Sequence, residues 1–204
     1  MKNIYEIDGV RPVIAETSYV HPNAVIIGDV IIGENCYIGP QCSIRGDYGR
    51  ITIADGANIQ DNCVLHSFPG KPCSVGSNAH ISHGAILHGC TVKNNGFVGI
   101  NAVVMDDAIV GEGAMVAAMA FVKAAFEIDD HCLAVGQPAK IVKEMSTTEV
   151  NWTSNGPKTY QRLAQRSMAT LKPTTPLTTI EADRPELDLN KETSKPLHIL
   201  KKSL

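Results

Sequence analysis

Four histidines fall in two short segments: His66 in "DNCVLHS", and His80, His83 and His88 in "HISHGAILHGC". Neutral imidazole is the commonest side-chain ligand for metals such as zinc and a general base near neutral pH. Such a cluster therefore points to a metal centre or to acid–base chemistry. The spacing of residues 66, 83 and 88 matches no helical zinc signature such as H-E-x-x-H. Arg45, Asp47, Gln60 and Asp61 lie close upstream and are types that orient a ligand or stabilise a developing oxyanion. Which of these groups meet depends on the elements that carry them.

The elements announce themselves through a six-residue period. Aliphatic side chains recur at Val20, Ile26, Ile32, Ile38 and Ile44, then at Ile53, Ile59 and Leu65, then at Val75, Ile81 and Leu87. From Val92 the period runs unbroken through Val98, Val104, Val110, Val116 and Val122. A small residue commonly stands four places after each anchor, as at Ala24, Cys36, Ala57, Ala79, Ala102 and Ala114. This is the pattern of a hexapeptide β-helix, an all-β solenoid in which three hexads make one triangular coil. The anchors point inward and stack on those of the next coil about 4.8 Å away. Roughly seventeen hexads amount to between five and six coils. A helix would need period 3.6, which the anchors do not show.

Composition agrees. Aromatic residues are 5% of the 204, with a single tryptophan, which suits an aliphatic stack. Net charge is −3 and no basic run appears, so nucleic acid and anionic membrane are poor partners. The start "MKNIYEIDGVRP" carries no apolar signal-peptide core and no stretch reaches transmembrane length, so the expected compartment is the cytoplasm. None of the six cysteines forms C-x-x-C. Cys36, Cys42 and Cys63 fill the small interior slot, where a thiol acts as a compact hydrophobe.

Residues 1–19 read as an N-terminal segment and 20–145 as the β-helix, closed by "LAVGQPAKIVK". Residues 146–171 read as a helical segment opened by a Ser146–Glu149 capping box and broken at Gly156–Pro157. Residues 172–204, rich in Pro, Thr and charge, read as an extended tail. Within the prism the period is interrupted three times. Three residues are added after the Ile44 hexad, four after the Leu65 hexad, and one is missing after Leu87. Interruptions of a solenoid commonly emerge as loops on one rim and carry function.

Hexad arithmetic places the polar residues. His66 and His88 each follow an anchor by one, and their anchors are three hexads apart, so they stack on one face of adjacent coils. Arg45 belongs to the same column. His83 follows Ile81 by two and lies on a different face, above Asp61 in its own column. One chain therefore cannot gather all three imidazoles. A closed ring of three copies can, because one face meets a different face of the neighbour. His66 and His88 of one copy with His83 of the next make a three-imidazole site open to water. Arg45 and Asp61 would then meet across the same interface.

Blander readings exist for each residue. Outward histidines on a solenoid are often only solvated or packed between copies, and Arg45 with Asp61 reads equally as an oligomer contact. His80, at the sixth position of its hexad, reads as a turn residue, and His21, His131 and His198 as structural or solvated.

"IRGDYGRI", "GANIQDNCVLH" and "HISHGAILHGC" resemble the γ-class carbonic anhydrase-like family of left-handed β-helix proteins. The resemblance implies a homotrimer with zinc, iron or cobalt at three interfaces, held by His66 and His88 of one chain and His83 of the next. It assigns roles near the metal to Arg45, Asp61 and Gln60, and matches the family's R-x-D spacing at Asp47. Tyr160 corresponds to a tyrosine that reaches the site from the C-terminal helix of relatives. Two departures stand out: Tyr48 replaces a glutamate after the R-x-D aspartate, and "SFPGKPCS" lacks the acidic proton-shuttle loop. Fast CO2 hydration needs proton export, so these departures point to weak anhydrase activity. The resemblance, to members of the family that act in aromatic degradation, implies hydrolysis of an acyl-CoA thioester instead, with CO2/bicarbonate interconversion second. Acyl transfer and a non-enzymatic trimeric scaffold are the remaining candidates.

Overall fold

The computed structural model describes residues 3–188 and 195–201. Its body is a left-handed parallel β-helix of about seven turns. One face is an eight-stranded sheet in which seven coils stack, from the Tyr19–Val20 strand to Cys132–Gly136. The antiparallel Ala139–Glu144 strand closes its end. The other two faces share a twelve-stranded sheet, because the long strands Val25–Ile32 and Ser43–Ile53 turn the corner between them without losing their pairing.

The anchors form the core. Ile26, Ile38, Ile44, Ile59, Leu65, Ile81 and Leu87 are all fully buried, and so are the small residues Cys36, Cys42, Cys63, Ala79 and Ala102. Most coil turns place a residue in the left-handed region, often Asn, as at Asn35, Asn62 and Asn101, where a short polar side chain lowers the steric penalty. The stack is longer than the anchor count suggests. Ile14 pairs with Ile32 one step before Val20, and Ile128 and Ala134 continue the column two steps beyond Val122. The last coil carries a buried alanine, Ala134, at the anchor position.

The first interruption is not a loop. Its three extra residues are absorbed into the eleven-residue Ser43–Ile53 strand. The second interruption does leave the prism, at residues 67–72, and folds onto the first, with Gly70 N–H donating to Tyr48 O at 2.8 Å. A Cβ at Gly49 would lie 1.8 Å from Lys71 O, so only glycine lets these segments meet.

The C-terminal helix α1, Thr147–Thr170, is opened by the reciprocal Ser146–Glu149 capping box. It runs unbroken through Gly156 and Pro157, against the expected break. Pro157 removes one N–H donor, but its ring is buried, and Tyr19 and Tyr37 on the prism pack with Tyr160 and Ala164 of α1. Tertiary packing offsets the local penalty. Residues 173–188 run without helix or strand apart from turns. The tail does not stay extended to its end. The short helix α2, Leu197–Leu200, returns to α1, where Trp152 Nε1–H donates to Lys195 O at 2.9 Å and Lys201 Nζ donates to Glu149 Oε1 at 2.6 Å. Among the described residues no helix is long and apolar enough to cross a membrane.

Candidate metal centre

Strand register sets the first column. His88 is the Cα partner of His66, one coil away, and their ring centroids are 5.4 Å apart. Ile44 pairs with Leu65, so Arg45 stands beside His66. Arg45 donates to Asp47 Oδ2 at 2.9 Å, and its other terminal nitrogen lies 3.2 Å from His66 Nε2. Asp47 Oδ1 is 2.9 Å from the same His66 nitrogen. Asp47 is thus shared between the guanidinium and the imidazole. His88 Nδ1 lies 2.8 Å from Asp106 Oδ1. Asp106 was not singled out in the sequence; it comes from the following coil, two places after anchor Val104. It reaches His88 because Gly89, at φ +56°, has no Cβ, which would otherwise fall 2.4 Å from the carboxylate.

The second column lies on the adjacent face. Ile59 pairs with Ile81, which brings Asp61 Oδ2 to 3.3 Å from His83 Nδ1. Among the described residues, no three His, Cys, Asp or Glu side chains of one chain converge on a possible metal position.

Two aromatic residues complete the histidine pair. Tyr48 packs on His66 at 5.4 Å and Phe68 meets His88 edge-on at 5.3 Å, both well exposed. They stand on the two interruptions where an acidic rim was missing from the sequence, and they make that rim apolar.

Of the two parts its type allowed, Gln60 is placed for the orienting one. It is buried, its Oε1 accepts from His83 N–H at 3.3 Å, and its NH2 donates to Asn58 Oδ1 at 3.0 Å. The NH2 also faces His80 Nε2 at 2.7 Å, which fixes that nitrogen as an acceptor. No N–H of Gln60 is left for a substrate oxyanion, so Gln60 is a positioning residue for His80 and His83. His80 is not a turn residue: it lies in the His80–Ile81 strand, stacked on Phe97 with centroids 4.5 Å apart and planes 9° apart. Burial, and secondarily the nearby His83, lowers His80 to about 3, so its ring stays neutral. Tyr160 sits on this second face, edge-on to His80 at 5.5 Å and against Tyr37 at 5.3 Å. Burial raises its hydroxyl to about 12.

The coil geometry, with polar columns outside and aliphatic columns within, defines a hexapeptide-repeat β-helix protein. Residues 11–46 match the family described as "Bacterial transferase hexapeptide (six repeats)". The carnitine operon protein CaiE of Proteus sp. (strain LE138) is 49% identical over 185 residues, covering 91% of this chain and 94% of its own. CaiE of Escherichia coli (strain K12) is 48% identical over 183 residues, covering 90% and 93%. The crystal structure of a hexapeptide transferase family protein from Anaplasma phagocytophilum superposes with a TM-score of 0.78 at 35% identity, over 81% of this chain and 98% of that one. The chain belongs to the hexapeptide-repeat family that includes the CaiE proteins.

Proposed function

We propose that the chain works as a homotrimer that hydrolyses acyl-CoA thioesters at an interfacial metal centre, with zinc, or alternatively iron or cobalt, held by His66 and His88 of one protomer and His83 of the next. The donor set fits such an ion. Each of the three imidazoles has a carboxylate 2.8–3.3 Å from one ring nitrogen, which fixes its orientation and leaves the other nitrogen for a cation. The stacked, carboxylate-oriented His66–His88 pair is the observation that carries this reading. A divalent cation there would supply Lewis acidity and lower the pKa of water. The other groups belong to the chain. Arg45, fixed by Asp47, places a permanent positive charge beside His66, where it favours the oxyanion that develops when a thioester carbonyl is attacked. Asp61 orients His83, and Tyr48 and Phe68 give the acyl group an apolar wall.

The same apolar rim argues against CO2 hydration as the main activity, because it provides no carboxylate to export protons. "IYEIDGVRPVI", "VHPNAVIIGDV" and "TPLTTIEADRP" resemble the phenylacetic acid degradation protein PaaY, while the curated relatives carry the CaiE name. The aryl thioester is the preferred substrate on the Tyr48–Phe68 wall. Thiol release from phenylacetyl-CoA, compared with a CoA ester of a carnitine-derived acid, tests the choice. Equal rates before and after metal stripping, or in wild type and His83→Ala, would reject the mechanism.

A second reading is acyl transfer with a histidine base, supported by the hexapeptide transferase matches. It requires CoA release to depend on an added acceptor, whereas hydrolysis proceeds in water alone.

A further inference from the structure

Phe68, whose ring meets His88 edge-on at 5.3 Å, stands on a turn of fixed shape. Residues 68–71 read Phe-Pro-Gly-Lys, and Lys71 N–H donates to Phe68 O at 3.0 Å, closing a four-residue β-turn. Proline at its second position and Gly70, at φ +75°, at its third are the residues that a type II turn favours. The turn therefore moves as one piece, and its ties decide where Phe68 stands. One tie is Gly70 N–H to Tyr48 O at 2.8 Å. A single bond leaves the piece free to swing about it. The second tie lies at the end of the turn: Lys71 Nζ donates to both carboxylate oxygens of Asp107, at 2.8 and 3.0 Å. Asp107 is itself fixed to the prism, since its N–H donates to Gly89 O at 2.8 Å. Its neighbour Asp106 is the carboxylate that orients His88. Adjacent aspartates thus hold the imidazole and the ring in front of it.

We propose that Lys71 and Asp107 are positioning residues that seat Phe68 against His88 and so limit the bulk an acyl group can carry beside the thioester carbonyl. Both side chains are half exposed, so the pair is weak by itself. A weak tie suffices here, because it stops only the swing of a turn that is already closed. The inference rests on the thioesterase reading for its substrate, but the placing of Phe68 is read without catalysis.

Histidine labelled with 13C at Cε1 gives one signal for each of the seven imidazoles of the purified full chain. The signal that Phe68→Leu displaces reports the aromatic ring on His88. Lys71→Met and Asp107→Asn should each displace it toward the Phe68→Leu position, whereas Lys71→Arg, which keeps the charge and the reach, should leave it in place. The ratio of kcat/KM for phenylacetyl-CoA over diphenylacetyl-CoA should fall roughly two- to fivefold in Lys71→Met and in Asp107→Asn, the range that an exposed ion pair can hold. The double variant should fall no further, because both changes remove one tie. Lys71→Arg should keep the wild-type ratio. A signal that stays put in Lys71→Met, or a ratio that stays put when the signal moves, overturns the proposal. Wild type that hydrolyses neither ester would instead overturn the thioesterase reading, and the signal alone would then decide whether Lys71 and Asp107 seat Phe68.

Discussion

His66 and His88 face each other across one coil step, ring centroids 5.4 Å apart, and each has a carboxylate within 2.9 Å of one nitrogen. His83 belongs to another face, so the proposed centre is shared between protomers, and complementation tests this directly. His66→Ala and His83→Ala should each abolish metal binding and thioester hydrolysis. Mixing the two and letting subunits exchange should restore about a quarter of the sites, because only one ordered pairing in four supplies all three imidazoles in a closed ring. Metal content and hydrolysis should return together. No recovery after verified exchange would show that the three histidines do not form one intersubunit site.

Asp47 holds both Arg45 and His66, at 2.9 Å each. Asp47→Asn keeps the size but removes the charge that orients them. The expected result is a loss of about 10- to 100-fold in metal affinity or hydrolysis, the usual range for groups behind metal ligands. Arg45→Gln should instead leave metal content near wild type and lower kcat, since the guanidinium acts on developing charge. Metal analysis alongside steady-state kinetics separates the two. Loss of metal from Arg45→Gln would move Arg45 from catalysis to assembly.

Much of this site was legible because a hexapeptide solenoid converts sequence interval into position. The steps from Leu65 to Leu87 and from Ile59 to Ile81 correctly paired His88 with His66 and Asp61 with His83. Asp106 was not legible, since its approach depends on a carboxylate reaching one place along the next coil into space left by Gly89. For Gln60 the sequence left two roles open, orienting a ligand or binding substrate, and only the packed neighbours Asn58 and His80 reveal that its NH2 is occupied. Pro157 was misread as a break for a related reason: local rules speak for an isolated helix, and α1 is held by the prism. The docking of α2 gave no signal, as four residues are too few for a periodic pattern to show.

The interior cysteines should be chemically silent. Burial raises Cys36 to about 11 and Cys63 to about 12, and pushes Cys42 up as well. Thiolate is the reactive form, so at pH 8 these thiols are both protonated and enclosed. Cys132 is only partly buried and should be the first residue modified by a thiol reagent. Peptide mapping after brief labelling should find Cys132 alone, with Cys36, Cys42 and Cys63 labelled only once denaturant unfolds the prism. Labelling of Cys42 in the native protein would mean that the coils open locally.

Glu149 ties three elements together. Its carboxylate closes the capping box with Ser146 and accepts from Lys143 at 2.7 Å and Lys201 at 2.6 Å, joining the last strand, α1 and the tail. Lys143, then Lys201, hold the carboxylate well below its usual range. A depressed carboxylate contributes stability that is present above its unfolded pKa and lost as pH falls toward its folded one. Acidification below about pH 4.5 should therefore loosen α1 before the prism, whose core is aliphatic. Glu149→Ala should lower stability by about 2 kcal/mol at neutral pH, the cap and a discounted ion pair combined, since both lysines are half exposed. It should also flatten the acid limb. Helical circular dichroism and urea midpoints between pH 3 and 7 measure both effects. A variant with the wild-type acid profile would remove Glu149 as the acid-sensitive tie.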